Sequence, residues 1–229
     1  MATVLITGAN RGIGLALARA YAQRGDAVIA VCRKTSPELA ALKVEVHEGI
    51  EVNDGAAVKK LAAALAGRTI DVLINNAGVH RSDGLGHIDY DNVRQQFEVN
   101  SLGPIRVTEA LLGNLKPGSK VAIITSRSGS IGDNGSSGNY GYRMSKAAVN
   151  MAGVNLALDL KPKGIAVAIL HPGMVSTGMG TNFTLTGGLV SSAAVEPEVS
   201  AARLVARIDE FTLDKTGAFL HAEGHALPW

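Results

Sequence analysis

Short apolar runs rich in β-branched residues alternate with longer segments rich in alanine and leucine along this chain of 229 residues. The short runs are typical of buried strands, and the longer segments have the period of helices. This alternation predicts an α/β fold, a doubly wound parallel sheet with helices on both faces. The predicted strands are Val4–Thr7, Ala27–Cys32, Val44–Ile50, Asp71–Asn75, Val121–Ser126, Ile165–Leu170 and Gly217–His221. The predicted helices are Gly14–Arg24, Pro37–Ala41, Asp54–Ala66, Tyr90–Leu112 with a break at Gly103-Pro104, Tyr142–Asp159 and Glu198–Phe211.

The length suits a single domain over residues 1–229, and we find no linker or repeat. A formal net charge of +2 indicates no dedicated nucleic-acid or membrane surface. No apolar run approaches the roughly 20 residues that span a bilayer. Cys32 is the single cysteine, so no intrachain disulfide can form. We therefore expect a cytoplasmic protein, and we assign no metal site.

Glycines cluster where the first predicted strand turns into the first helix, in Thr7-Gly8-Ala9-Asn10-Arg11-Gly12-Ile13-Gly14. Glycines at that place permit a tight turn and let the backbone approach a pyrophosphate at the helix N-terminus. The turn predicts a dinucleotide site in a Rossmann-like sheet. The predicted contacts are Gly8, Asn10, Arg11, Gly12, Ile13 and Gly14, and the alternative is a tight turn with no ligand.

The second predicted strand ends in Cys32-Arg33-Lys34, with no carboxylate to hold a ribose 2′-hydroxyl. Arginine binds phosphate through paired, charge-assisted hydrogen bonds. Arg33 is therefore the first candidate for the 2′-phosphate of NADP(H), and Lys34 could assist. The alternative is that both side chains belong to a solvated turn.

Tyr142 and Lys146 are four residues apart on a predicted helix, so they share one face. A nearby ammonium and an oxidised nicotinamide both favour phenolate, and we expect the pKa of Tyr142 to fall towards the working range. Tyr140 has no lysine four residues later and is expected to line the pocket or to pack.

The glycine turn with its spacing Thr-Gly-x-x-x-Gly-x-Gly, followed by Tyr-x-x-x-Lys, resembles the short-chain dehydrogenase/reductase family. The resemblance covers nearly the whole chain, and it is most specific to the C-factor and carbonyl-reductase-like branch of the family. One departure is Gly178, where that branch frequently has aspartate. Relatives with a basic residue at the position of Arg11 resemble users of NADP.

The resemblance implies roles for further residues. Asn100 would hold a water in a proton relay, and Ser126 would orient the substrate carbonyl, with Ser128 as the alternative serine. The loop at about 174–195 would contact substrate through apolar side chains. The remaining implied cofactor contacts are Glu51, Val52, Asn76, Ala77, Gly78, Tyr142, Lys146, Pro172, Gly173, Val175 and Thr177.

These features predict reversible, NADPH-dependent reduction of a small-molecule carbonyl, with Tyr142 as the proton donor. The alternatives are an NAD-dependent alcohol dehydrogenase, a cofactor-binding regulator, and an interaction protein on an inactive scaffold. No nucleic-acid or membrane partner is expected. By resemblance, a homodimer or homotetramer can form through the helices that hold Asn100 and Tyr142, although some carbonyl reductases are monomers.

Overall fold

The computed structural model describes residues 1–177 and 194–229. Within these ranges, seven strands form one sheet in the order β3-β2-β1-β4-β5-β6-β7, and every neighbouring pair is parallel. The doubly wound fold predicted from the sequence is confirmed. The strands are β1 Thr3–Thr7, β2 Ala27–Val31, β3 Glu45–His47, β4 Val72–Asn75, β5 Lys120–Ile124, β6 Ala166–His171 and β7 Phe219–His221.

Helices cover both faces of the sheet because neighbouring residues of a strand point in opposite directions. Val4 and Ile6 of β1 pack with α1, α2 and α7, whereas Leu5 packs with α3, α5 and α6. Among the described residues, no helix is long and apolar enough to cross a membrane. The helices are α1 Gly12–Gln23, α2 Pro37–Ala41, α3 Gly55–Ala64, α4 Tyr90–Phe97, α5 Gly103–Ala110, α6 Tyr140–Leu160 and α7 Pro197–Glu210.

The long helix predicted from Tyr90 to Leu112 is interrupted, as its Gly-Pro pair indicated. A π-helical turn, Glu98–Leu102, separates α4 from α5. Pro104 has no N–H and cannot donate to the carbonyl of Asn100 four residues earlier. A side chain at Gly103 would also collide with Val52, because its Cβ would lie 2.9 Å from Val52 Cγ2.

The predicted third strand, Val44–Ile50, is too long by four residues. Only Glu45–His47 is a strand, and it lies at the edge of the sheet, where it pairs with β2 alone. Gly49 has a φ of +77°, a left-handed conformation that ends the extended chain. The alternation of apolar residues continues through Ile50 and so extended the predicted strand past this turn.

The turn after β5 packs directly on the backbone of α6. A Cβ on Gly129 would lie 2.5 Å from the carbonyl carbon of Lys146 and 2.8 Å from the amide nitrogen of Ala147. Glycine is therefore required there, because a helix backbone cannot rotate aside as a side chain can. This contact sets the distance between the end of β5 and the helix that carries Tyr142.

We predict that Gly129→Ala lowers the free energy of unfolding by about 1–3 kcal/mol or more, the cost of an overpacked core. Urea unfolding followed by circular dichroism measures the change. Gly113→Ala is the matched control, because a Cβ there meets nothing within 4 Å. Equal unfolding midpoints for the two variants would contradict the packing argument.

Candidate active site

The glycine turn between β1 and α1 is tied to the end of β4. Thr7 Oγ1 accepts hydrogen bonds from the backbone N–H groups of Asn76 and Ala77, at 3.0 and 3.1 Å. The Asn76 amide donates to the carbonyls of Thr7 and Gly8, at 3.0 and 3.3 Å. A Cβ on Gly14 would lie 2.2 Å from the carbonyl oxygen of Gly8, so only glycine fits. The turn therefore has the tight backbone packing that a pyrophosphate site requires.

The N-terminus of α1 has no capping side chain. Arg11 is its N-cap without a side-chain hydrogen bond, and its first turn holds no acidic residue. By contrast, Asp54 caps α3 by accepting from the N–H groups of Ala56 and Ala57. Uncapped N–H groups and the helix dipole favour an anion. The residues present thus fit the diphosphate of a dinucleotide.

The chain after β2 places basic groups beside this turn. Asn10 Nδ2 donates to the carbonyl of Lys34 at 2.9 Å, which joins the two segments. Arg33 and Arg11 are exposed, and neither forms an ion pair with a residue in the described ranges. Sequence reasoning missed Glu48, which accepts from the N–H of Thr35 at 3.0 Å. The three basic side chains nevertheless outnumber this carboxylate.

Two of the implied cofactor contacts, Glu51 and Val52, lie between β3 and α3. Glu51 is exposed, and Val52 is buried. The carbonyl of Val52 accepts from Arg106 Nη1 at 2.9 Å. Gly78 follows Asn76 and Ala77 at the end of β4, and its Cβ position lies 3.9 Å from Lys146 Nζ. These segments all meet at the carboxyl edge of the sheet.

Tyr142 and Lys146 share one face of α6 as predicted, with Lys146 Nζ 5.8 Å from the centre of the Tyr142 ring. The Tyr142 side chain lies beside Ser126, whose Oγ accepts from the N–H of Ser128 at 3.1 Å. Burial raises the pKa of Tyr142, and the neighbouring Ser126 hydroxyl opposes that rise. The fall expected in the presence of an oxidised nicotinamide is therefore not produced by the chain alone.

Lys146 is buried, and its Nζ donates to the carbonyl of Ile124 at 3.1 Å. Burial lowers the pKa of this ammonium to about 8, because the charged form loses its hydration. The carbonyl belongs to the last residue of β5, two residues before Ser126. One hydrogen bond thus links the lysine to the strand that presents the serine.

Asn100 lies in the π-helical turn, buried against the chain after β4. Its Oδ1 accepts from the N–H of Val79 at 2.8 Å, and its Nδ2 donates to the carbonyl of Val79 at 2.9 Å and to Ser145 Oγ at 3.0 Å. The side-chain amide is therefore satisfied by protein groups. The backbone carbonyl of Asn100 is therefore the group that we expect to hold a water, since Pro104 cannot donate to it.

Two contacts of Tyr142 and its helix were absent from the sequence prediction. The His80 ring packs edge-on against the Tyr142 ring, with centroids 4.8 Å apart, and burial lowers the pKa of His80. Asp83 accepts hydrogen bonds from the N–H groups of Tyr140 and Gly141 and so caps α6. The cap extends α6 two residues beyond its predicted start. A residue 57 positions upstream gives no local signal of this role.

The segment after β6 passes beside the glycine turn. Ser200 Oγ donates to the carbonyl of Pro172 at 2.7 Å, and Val175 forms a parallel bridge with Val195. A Cβ on Gly12 would lie 3.3 Å from Thr177 Cγ2. Gly173, at a φ of +83°, completes this turn. Gly178 and the apolar residues predicted to contact substrate, Met179, Phe183, Leu185 and Leu189, lie outside the described residues.

Comparisons with known proteins agree with this geometry. The short chain dehydrogenase family profile matches residues 2–186. In Rhodococcus sp. (strain AD45), 1-hydroxy-2-glutathionyl-2-methyl-3-butene dehydrogenase is 42% identical over 231 residues, with 100% of both chains covered. The C-signal protein of Myxococcus xanthus is 42% identical over 164 residues, covering 70% of this chain and 93% of that protein.

Solved structures show the same similarity. The NADPH-bound carbonyl reductase from chicken fatty liver superimposes with a TM-score of 0.89 at 28% identity, covering 100% of this chain and 99% of that one. The carbonyl reductase Sniffer of D. melanogaster gives a TM-score of 0.86 at 28% identity, with 100% of both chains covered. With the glycine turn and the Tyr142–Lys146 face in place, the chain belongs to the short-chain dehydrogenase/reductase family of oxidoreductases, in its C-factor and carbonyl-reductase-like branch.

Proposed function

We propose that the protein reduces a carbonyl group of a small molecule with NADPH, and that it catalyses the reverse alcohol oxidation. The observation that carries this proposal is the helix face that Tyr142 shares with Lys146, beside the Ser126 hydroxyl at the end of β5. Bound NADPH supplies the hydride that the carbonyl carbon accepts. The chain supplies position, protons and a preorganised polar environment.

Each of the four predicted residues takes one role. Ser126 donates a hydrogen bond to the substrate oxygen and holds it beside Tyr142. Tyr142 then donates its phenolic proton to that oxygen, which becomes the alcohol hydroxyl. Lys146 would hold the ribose hydroxyls on the nicotinamide side of a bound cofactor. Asn100 holds a water on its backbone carbonyl, and this water returns a proton to Tyr142 through Lys146.

Burial of Tyr142 suits the reducing direction, since a raised pKa keeps the phenol protonated and able to donate. Ser126 is preferred to Ser128 as the substrate-orienting serine because its side chain is the serine hydroxyl that lies beside Tyr142. The side chain of Ser126 also caps the turn Arg127–Gly129, and Gly129 packs against α6. Its hydroxyl therefore has a fixed position relative to the helix.

Two other functions have support from named relatives. The Rhodococcus relative is a dehydrogenase, which favours alcohol oxidation as the second candidate. The C-signal similarity favours a signalling role in which catalysis is incidental. Carbonyl reduction and alcohol oxidation are separated by comparing two rates. One is hydride transfer to a panel of aldehydes, ketones and quinones, and the other is hydride transfer from the matching alcohols. Tight NADPH binding with no hydride transfer to any member of the panel would favour the signalling role.

The oligomeric state stays a prediction. Met144, Met151 and Leu158 are exposed at seven-residue intervals along α6, and so form one apolar stripe. Such a stripe on the helix that holds Tyr142 favours the homodimer or homotetramer implied by the family resemblance.

We predict that Tyr142→Phe lowers kcat about 10²–10⁴-fold, because the phenol is the proton donor. The Kd for NADPH, measured by its fluorescence, should stay within about threefold, since the ring keeps its packing. Tyr140→Phe is the matched control two residues away and should retain its turnover. Undiminished turnover in Tyr142→Phe would overturn the assigned proton donor.

We predict that Arg33→Ala weakens NADPH binding about 10–100-fold, the value of a charge-assisted hydrogen bond. NADH lacks the 2′-phosphate, so its affinity should change by less than about threefold. Parallel fluorescence titrations measure both. Arg94→Ala, which removes an exposed arginine from α4, is the control. Equal losses for the two nucleotides, or none, would contradict the proposed 2′-phosphate contact.

The buried Lys146 predicts a pH dependence of stability in the cofactor-free protein. Its folded pKa of about 8 lies below the usual 10.5, so the unfolded chain binds more protons between these values. The free energy of unfolding should therefore rise with pH across that window, because the cost of burying an ammonium is relieved. Lys146→Met lacks this titration and should gain stability over the native protein most clearly below about pH 8.

Urea unfolding at about pH 7 and about pH 10 measures the difference between native protein and Lys146→Met. Lys163→Met, which removes an exposed ammonium, controls for the change in net charge. A difference that stays constant with pH, or that moves the other way, would show that Lys146 is not buried as a titrating amine.

A further inference from the structure

A tight hairpin follows β7 and brings two histidines together. His221 N donates to the carbonyl of His225 at 2.9 Å, and Gly224 N donates to the carbonyl of His221 at 2.8 Å. Gly224 has a φ of +100°, which allows the chain to reverse. The two imidazole rings consequently stack across the hairpin, with centroids 4.6 Å apart and planes at 14°.

Glu223 adds a carboxylate to this pair. Its Oε2 lies 3.7 Å from His221 Nδ1, and that nitrogen accepts the backbone N–H of Glu223 at 3.1 Å. Nδ1 therefore presents a lone pair, not a proton, towards the turn. In this conformation the lone pair is engaged by the Glu223 N–H, so a cation between Nδ1 and the carboxylate would replace that hydrogen bond and relieve the repulsion between the two acceptors.

The neighbouring side chains orient the group. Arg203 Nη1 bonds Glu223 Oε1 at 2.7 Å, which leaves Oε2 directed to the histidine side. The His171 ring contacts His221 edge-on, with centroids 5.1 Å apart. His171 Nδ1 is buried and, within the described ranges, has no hydrogen-bond partner. Buried polar nitrogens rarely remain unpaired, so His171 adds an unsatisfied polar atom beside the cluster.

We propose that His221, Glu223 and His225 bind a divalent transition-metal ion, with Zn²⁺ as the best match. One ligand atom from each residue lies within 4.8 Å of the other two. A tetrahedral zinc ion with ligands at about 2.0–2.2 Å needs separations of about 3.3 Å, which rotations of the exposed Glu223 and His225 side chains towards the partly buried His221 can supply. Two imidazoles and one carboxylate favour zinc, nickel or cobalt over magnesium or calcium.

The position of the cluster gives this site a structural consequence. His221 Nε2 lies 3.5 Å from the Cβ position of Gly173, which is one of the implied cofactor contacts. The same hairpin leads to Trp229, whose carbonyl accepts the N–H of Gly132 at 2.7 Å. A bound ion would therefore brace the chain after β6 and the C-terminal residues. This proposal does not depend on the reaction assigned to Tyr142.

Isothermal titration of the full-length, tag-free protein with ZnCl₂ tests the site, after chelator treatment and removal of the chelator. We expect one ion per chain and no heat with MgCl₂. Glu223→Gln and His225→Ala each change an exposed ligand and should weaken zinc binding at least about tenfold. CoCl₂ should give visible d–d bands with the native protein that both variants lose.

His87→Ala is the matched control, because His87 is also exposed but lies outside the cluster. Zinc should raise the Tm of the native protein and of His87→Ala, and it should not raise that of His225→Ala. Circular dichroism confirms that the variants fold. No saturable zinc binding by the native protein, or equal losses in His87→Ala and His225→Ala, would overturn the site.

Discussion

The contact between the turn after β5 and the backbone of α6 governs the geometry of the site. Gly129 lies so close to Lys146 and Ala147 that no Cβ can be placed between them. The strand end that presents Ser126 and the helix that presents Tyr142 are therefore in direct backbone contact. Lys146 adds a hydrogen bond from its side chain to the last carbonyl of β5. Three functional groups are thus positioned by packing that leaves little freedom.

A second set of contacts joins the remaining loops at the carboxyl edge. Thr7 and Asn76 fix the glycine turn to the end of β4, and Asn100 holds Val79 just beyond it. Each polar group bonds to a backbone group from a different crossover, so the loops support one another. The glycine turn and the site around Tyr142 are consequently positioned by one connected set of contacts. This explains how a ligand spanning both can be oriented at a single edge of the sheet.

Local patterns predicted most of the fold because they involve residues close in the chain. The glycine turn, the Tyr142–Lys146 spacing and the break at Gly103-Pro104 are all of this kind. The missed features join distant segments: Asp83 caps a helix 57 residues later, and Glu48 reaches the turn after β2. His80 carries no motif, and only the tertiary fold brings it against Tyr142. The rise that burial causes in the pKa of Tyr142 was also missed, since burial is a property of the assembled core.

Burial shifts the pKa values of Tyr142 and Lys146 in opposite directions, but the two shifts have the same result. It raises the pKa of Tyr142 and lowers that of Lys146, and each shift favours the uncharged form. Under the proposed function, an anionic dinucleotide at this edge would favour the ammonium form of Lys146, and that ammonium would make phenolate less costly at Tyr142. Cofactor binding and the protonation of Lys146 would then be coupled, so that the bound cofactor would adjust the charges of the pair that transfers the proton.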